Sequence, residues 1–192
     1  KFGEDLAILA GDALFLDPFG MIAASALPDA VKVSLILELS DASGSRGMVA
    51  GQVLDMEGEH KQLTLAELQT IHANKTGRLL AYPFIAAGLI LELQADIGQL
   101  LEKIGKKLGL AFQVRDDILD LVADFEALGK TPQKDLIAEK STYPALLGLE
   151  ESKALLTSEL DACEDLLDQI TAACNFDPRA IKKLIEGLRI DG

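Results

Sequence analysis

Apolar residues recur at spacings of three and four along almost the whole chain, and no stretch alternates steadily between apolar and polar residues. A three- or four-residue spacing places side chains on one face of an α-helix, whereas alternation is typical of a half-buried strand. No Asn-Gly pair marks a tight hairpin either. The pattern therefore predicts an all-α fold, and 192 residues are enough for one domain with a substantial core.

Capping residues and prolines set the expected ends of the helices. Thr64 and Glu67 have the spacing of a capping box, and Asp177 followed by Pro178 has the form of an N-cap with proline at the first helical position. Pro18 predicts a kink or break in the first helix. The predicted helices cover residues 3–25, 29–39, 46–58, 65–91, 95–123, 143–149, 151–174 and 178–188, with a turn at 41–45.

An acidic stripe interrupts the apolar pattern of the helix predicted over 95–123. Gln113, Asp116, Asp117 and Asp120 stand at i, i+3, i+4 and i+7, so they share one helix face. The flanking positions are apolar, which predicts a helix buried nearly all round with three carboxylates facing a cavity. Such carboxylates repel one another unless a divalent cation neutralises them. Because Mg²⁺ prefers oxygen ligands and phosphate partners, the stripe indicates a magnesium site for a diphosphate substrate.

A glycine inside the helix predicted over 65–91 marks a second polar position. Glycine in a helix interior costs about 1 kcal/mol relative to alanine, so Gly77 suggests a break that directs Lys75 and Thr76 into the cavity. Lysine supplies a compact charge and threonine a neutral donor, and both suit a phosphate oxygen. A surface lysine beside a helix-end glycine is the alternative interpretation.

Five stretches, in order, resemble motifs of the trans-polyprenyl diphosphate synthases, with the greatest likeness to the bacterial short-chain farnesyl or geranylgeranyl type. An isolated Asp-Asp-x-x-Asp match is a weak signal because acidic helices are common, whereas five ordered motifs are a strong one. The stretches are Phe2–Leu14, Gly51–Asp55, His72–Gly77, Phe112–Asp120, and Gly129-Lys130 with Lys140–Pro144.

The resemblance implies an isoprenoid-synthase-type helical bundle. Residues 1–192 would be the C-terminal two-thirds of a single domain, and the bundle would be incomplete at its N-terminus. The family's basic segment and first aspartate-rich motif would then lie before Lys1. The 192 residues alone are therefore expected to be inactive, because one metal-binding wall is missing. In this family, product length depends on residues before that first motif.

By resemblance, the activity would be magnesium-dependent condensation of an allylic diphosphate with isopentenyl diphosphate. Farnesyl diphosphate is the product expected first. Magnesium and lysines would stabilise the departing pyrophosphate. The implied catalytic residues are Asp116, Asp117, Asp120 and Lys75; the implied metal ligands are Asp116 and Asp120, Asp117 through water, and Asp135. The implied substrate-binding residues are Lys75, Thr76, Gln113, Lys130, Lys140 and Gln52, with Asp55 beside Gln52 on an opposite wall.

Two other functions stay open. A non-catalytic regulatory subunit of a heteromeric prenyltransferase would fit a missing first aspartate motif. A terpene cyclase uses the same ionisation chemistry, but its second metal motif usually mixes Asn, Ser or Thr with Glu, unlike the three aspartates here.

Composition restricts the binding partners and the cell compartment expected for the protein. The net charge of −13 argues against nucleic-acid binding, because phosphate backbones would be repelled. Cys163 and Cys174 lack partners for a zinc site, and two cysteines make no disulfide framework, which suits a reducing cytoplasm. Leu79–Leu91 is too short to span a bilayer, which needs about 20 apolar residues, so no transmembrane segment is expected. His60 and His72 are interpreted as structural, and a homodimer is implied by resemblance.

Overall fold

The computed structural model describes residues 1–128 and 141–190, and within them the side chains of all residues except 124–128. Every regular element in these ranges is a helix, which confirms the all-α prediction. The helices are α1 (Glu4–Ala24), α2 (Asp29–Ser43), α3 (Met48–Gly58), α4 (Leu65–His72), a π turn (Ala73–Gly77), α5 (Arg78–Ile90), α6 (Ala95–Leu128), α7 (Tyr143–Leu147), α8 (Leu149–Ala173) and α9 (Arg179–Leu188).

The capping box at Thr64 is confirmed. The Thr64 hydroxyl accepts a hydrogen bond from the Glu67 amide at 3.3 Å, and the Glu67 carboxylate accepts one from the Thr64 amide at 2.8 Å. At α9 the prediction is wrong by one position, because Pro178 is the N-cap and Arg179 begins the helix. Asp177 still caps the end, since its carboxylate accepts a hydrogen bond from the Arg179 amide at 3.1 Å.

Two other expected helix ends differ from the prediction. Pro18 lies inside α1, which continues through it without a break. The turn expected at 41–45 is displaced, because α2 extends to Ser43 and the chain turns at residues 44–47. Helical spacing alone does not locate such ends, because a small polar residue can return its hydroxyl to the helix backbone. Ser43, the last residue of α2, donates to Leu39 O at 2.7 Å.

Helix α6 is the centre of the fold and packs between α5 and α8. Its side toward α8 is largely apolar, with Ala111, Val114 and Ile118 each 0% exposed, and Lys107 pairs with Glu159 of α8 at 2.9 Å. Helix α8 packs against this side with a stripe of buried residues. They are spaced alternately four and three positions apart, which aligns side chains on one helix face. The members of that stripe are Leu156, Leu160, Cys163, Leu167 and Ile170.

The other side of α6 approaches α5 through small residues. A Cβ placed on Gly105 would lie 2.6 Å from the Cα of Ala81, and one on Gly109 would lie 2.6 Å from the Cα of Gly77. Both distances are shorter than van der Waals contact, so only glycine permits this backbone approach. The close packing fixes the end of the π turn against the middle of α6.

Helix α1 lies apart from this core. None of its residues is buried, and its main contacts within the described chain are with α2. By length and composition alone, α1 is apolar enough to cross a membrane, unlike the shorter run Leu79–Leu91. One such helix does not establish a membrane protein, because core helices and signal sequences have the same length and composition.

The two cysteines are expected to differ in reactivity. Cys163 is 0% exposed, and its thiol donates to Ile104 O at 3.8 Å. Burial raises the pKa of the Cys163 thiol to about 12, and the thiolate is the reactive form. Ellman titration of the folded 192-residue chain at pH 8 should therefore modify only the partly exposed Cys174. Both thiols should react in denaturant, and rapid modification of both in the native protein would contradict this assignment.

Candidate active site

The π turn at Ala73–Gly77 joins α4 to α5 without ending the helix. The amide of Arg78 donates to the carbonyl of Ala73, a five-residue hydrogen bond that admits one extra residue into the turn. The break predicted at Gly77 is therefore wrong, although a helix irregularity does lie at that position, in the form of a widened turn. Such turns are frequent at functional sites.

Helix α3 approaches this turn at Gly51. A Cβ on Gly51 would lie 2.1 Å from the backbone nitrogen of Lys75 and 2.4 Å from its Cα. Only glycine at this buried position allows α3 to lie against the backbone of the turn. Gly51 therefore sets where Lys75 stands relative to α3.

A cavity of about 680 Å³ opens between α3, α4, the π turn and α6. Its lining includes Asp55, His72, Lys75, Gln113, Asp117 and Ser141, together with Gly58 at the end of α3, residues 59–63 of the α3–α4 loop, and Leu68. The Lys75 ammonium donates to Asp55 Oδ2 at 2.5 Å. Both side chains keep about a third of their surface exposed, 32% for Lys75 and 39% for Asp55, so the pair is reachable by a solute in the cavity.

Thr76 connects the π turn to the acidic helix. Its hydroxyl donates to Gln113 Oε1 at 3.0 Å, across 37 positions of sequence. Gln113 lies one helical turn before Asp116 and Asp117 on α6, and the bond holds it beside the side chains of the π turn. Two regions that the sequence marked separately therefore meet at one wall.

Asp117 is the buried member of the acidic stripe, with 8% exposure. Its Oδ2 accepts a hydrogen bond from the Tyr143 amide at 3.0 Å. The Tyr143 ring is fully buried and lies 5.4 Å, centroid to centroid, from the ring of His72. His72 is buried as well, in keeping with the structural role expected for it.

Asp116 and Asp120 lie further toward solvent than Asp117. Burial first, and the charge of Asp120 second, raise the pKa of Asp116, and Arg115 partly offsets both. A partly buried carboxylate beside a second one suits a divalent cation, which would neutralise their charge. No group of three metal-binding side chains converges within residues 1–128 and 141–190. Magnesium fits these residues nevertheless, because it commonly takes one or two carboxylates and completes its shell with water and phosphate.

The expectation of a helix buried nearly all round is wrong on one face. Phe112, Leu119 and Val122 are each 37% exposed, whereas Ala111, Val114 and Ile118 form the core face. The apolar residues on both faces look alike in the sequence, and only packing shows which face is covered.

The structure brings some of the predicted site residues together and not others. Lys75, Gln113 and Asp117 line one cavity with Asp55, and Thr76 is bonded to Gln113. Gln52 is exposed on α3 and lies outside the lining of that cavity. Asp116 and Asp120 are outside the lining as well, so the prediction of three carboxylates facing the cavity holds only for Asp117. Lys130, Asp135 and Lys140 lie outside the described residues.

The sequence reasoning missed Ser141 and the α3–α4 loop as part of this wall. Ser141 belongs to the Lys140–Pro144 stretch singled out above, and that was the available signal. Its partners lie about 80 positions away, at Lys61 and Leu63, and no local pattern gives such a pairing.

The family model described as polyprenyl synthetase matches residues 1–175. The chain belongs to the polyprenyl synthetase family. Its relatives include farnesyl diphosphate synthase of Micrococcus luteus, 52% identical over 87% of this chain and 57% of that protein. Farnesyl diphosphate synthase of Escherichia coli (strain K12) is 42% identical over 97% of this chain and 63% of that protein.

Solved structures of family members agree in fold. A putative farnesyl-diphosphate synthase from Marinomonas sp. MED121 superposes with a TM-score of 0.80 at 33% identity, over 97% of this chain and 63% of that one. A geranyltransferase from Helicobacter pylori, complexed with magnesium and isoprenyl diphosphate, gives a TM-score of 0.76 at 31% identity, over 97% and 60%. The chain thus spans about three-fifths of the length of these polyprenyl synthetases.

Proposed function

We propose that the full-length protein is a magnesium-dependent prenyltransferase that condenses an allylic diphosphate with isopentenyl diphosphate to farnesyl diphosphate. The observation that carries this proposal is the cavity in which Lys75, on a π turn, faces the helix of the acidic stripe. Relatives named farnesyl diphosphate synthase support the reaction and the product.

In the proposed reaction, each described residue has a task at the diphosphate. Lys75 would leave Asp55 and donate to a phosphate oxygen, and Thr76 and Gln113 would hold the adjoining wall. Asp116 and Asp120 would hold the cation. Bound Mg²⁺ supplies charge neutralisation for the leaving pyrophosphate. Lys130, Lys140 and Asp135 are proposed to add two charges and a metal ligand, as the resemblance implies.

The direct test is product analysis with the full-length gene product. The purified protein should convert geranyl diphosphate and isopentenyl diphosphate to farnesyl diphosphate in the presence of Mg²⁺, and chelation with EDTA should stop turnover. Absence of turnover with dimethylallyl, geranyl and farnesyl diphosphate would overturn the proposal and favour the regulatory-subunit alternative. Cyclic hydrocarbon products would favour the terpene cyclase.

Lys75→Gln is expected to raise the KM for the allylic diphosphate by about tenfold or more, because a hydrogen bond from a charged donor is lost. Lys103→Gln is the matched control, since Lys103 is an exposed lysine on α6. Steady-state kinetics of both variants check this. Equal KM values for the two variants would mean that Lys75 does not contact the substrate.

We also propose that the protein is a cytoplasmic homodimer. The free thiols of Cys163 and Cys174 support a reducing compartment. The dimer is supported by the exposed apolar surface of α1, which includes Leu9, Leu16 and Met21 at 61%, 69% and 73% exposure. An apolar surface of that kind usually marks an interaction site. Sedimentation velocity on the full-length protein tests the proposal, and a monomer at micromolar concentration would refute it.

A further inference from the structure

The segment Ser141–Tyr143 ties three elements of the cavity wall together. We refer to these three residues as the clasp. One end of the clasp contacts the α3–α4 loop, and the other end contacts α6 and α4. The elements it joins carry most of the lining of the cavity that contains Lys75.

Ser141 makes the contacts at the loop end. Its hydroxyl donates to the Lys61 carbonyl at 3.2 Å and accepts from the Leu63 amide at 3.2 Å. A single hydroxyl therefore satisfies two backbone groups of the loop, one as donor and one as acceptor. These bonds hold the loop against the chain that follows residue 140.

Tyr143 makes the contacts at the helix end. Its amide donates to Asp117 Oδ2 at 3.0 Å, and its ring packs against His72 of α4. Asp117 is 8% exposed and Tyr143 is 0% exposed, so the bond lies where water does not compete for it. A charge-assisted hydrogen bond in such surroundings is stronger than an exposed one.

We propose that Asp117 is a positioning residue whose main role is to hold the clasp, and through it the α3–α4 loop, in register with the acidic face of α6. This role rests on the proposed function where it concerns turnover. It differs from the role implied by resemblance, in which Asp117 reaches a metal through water. Asp116 and Asp120 keep the metal role.

Asparagine and alanine at position 117 separate the two roles. Asparagine keeps a carbonyl oxygen that can accept from the Tyr143 amide but loses the charge that a cation needs. Alanine removes both. A positioning role therefore predicts that Asp117→Asn loses much less pyrophosphate affinity than Asp117→Ala does. A metal role predicts that the two variants lose the same affinity.

The experiment uses the full-length protein and two readouts that do not require turnover. The first is hydrogen exchange at the Tyr143 amide, and the second is calorimetric binding of inorganic pyrophosphate with Mg²⁺. Asp117→Ala should speed the exchange and weaken pyrophosphate binding by about tenfold or more each. Asp117→Asn should change each by about threefold or less, since the acceptor survives. Asp165→Ala, an exposed carboxylate on α8, is the matched control and should change neither.

The proposal is overturned if Asp117→Asn weakens pyrophosphate binding as much as Asp117→Ala does, or if Tyr143 exchange is unchanged in Asp117→Ala. Failure of the proposed function gives a different result. The wild-type protein would then show no turnover, while exchange at Tyr143 would still respond to position 117 in the order Ala, Asn, wild type.

Discussion

Asp116→Ala should lower turnover of the full-length protein by at least about 100-fold, because a lost metal ligand removes stabilisation of the leaving pyrophosphate. Asp116 is partly buried beside the charge of Asp120, and both raise its pKa. A carboxylate held under this repulsion gains most when a cation binds, so its removal costs more than that of an exposed acid.

The far-UV circular dichroism of Asp116→Ala should match the wild-type spectrum, since alanine is the best helix former. Asp165→Ala controls for loss of an exposed charge and should keep wild-type turnover. Activity of Asp116→Ala within about threefold of wild type, which is less than one charged hydrogen bond is worth, would show that the acidic stripe is structural.

Gly51→Ala should unfold the protein at a lower urea concentration, with a loss of at least about 2 kcal/mol in the free energy of unfolding. The added Cβ would meet the Lys75 nitrogen at 2.1 Å, the Lys75 Cα at 2.4 Å and the Asn74 carbonyl carbon at 2.7 Å. These are backbone atoms, so α3 or the π turn must move. Because the movement displaces Lys75, affinity for the diphosphate should fall as well.

Gly98→Ala is the matched control for that experiment. Gly98 lies in α6, and a Cβ there meets nothing within 4 Å. This substitution should stabilise the protein by up to about 1 kcal/mol, the gain expected for alanine over glycine in a helix. If Gly51→Ala unfolds at the same urea concentration as wild type, α3 and the π turn do not pack as closely as described.

Much of the fold could be predicted from the sequence because it depends on local patterns. The three- and four-residue spacing gave the helices, and Thr64 with Glu67 gave the capping box. The acidic stripe and the Lys75–Gly77 irregularity were also local, and the structure sets Lys75 and Gln113 around one cavity.

The remaining features depend on contacts between distant residues. Gln52 and Asp55 are three positions apart on helix α3, a spacing that places them near one face, yet Gln52 is exposed to solvent and Asp55 reaches Lys75. The pairing of Ser141 with Lys61 and Leu63 spans about 80 positions. Neither the direction of a side chain around its helix nor such a pairing follows from periodicity, because both depend on which neighbours cover the helix.

The π turn also changes the spacing of the buried positions along its helix. Leu68 and His72 are buried before it, and Gly77 and Ala81 are buried after it, so the steps are four, five and four. Each residue of an α-helix advances by about 100°, so one extra residue shifts the phase of α5 against α4 by that angle. A sequence pattern with a fixed helical period cannot represent this shift. A pattern that allows one step of five between buried positions can represent it, and that step, from His72 to Gly77, contains Lys75 and Thr76.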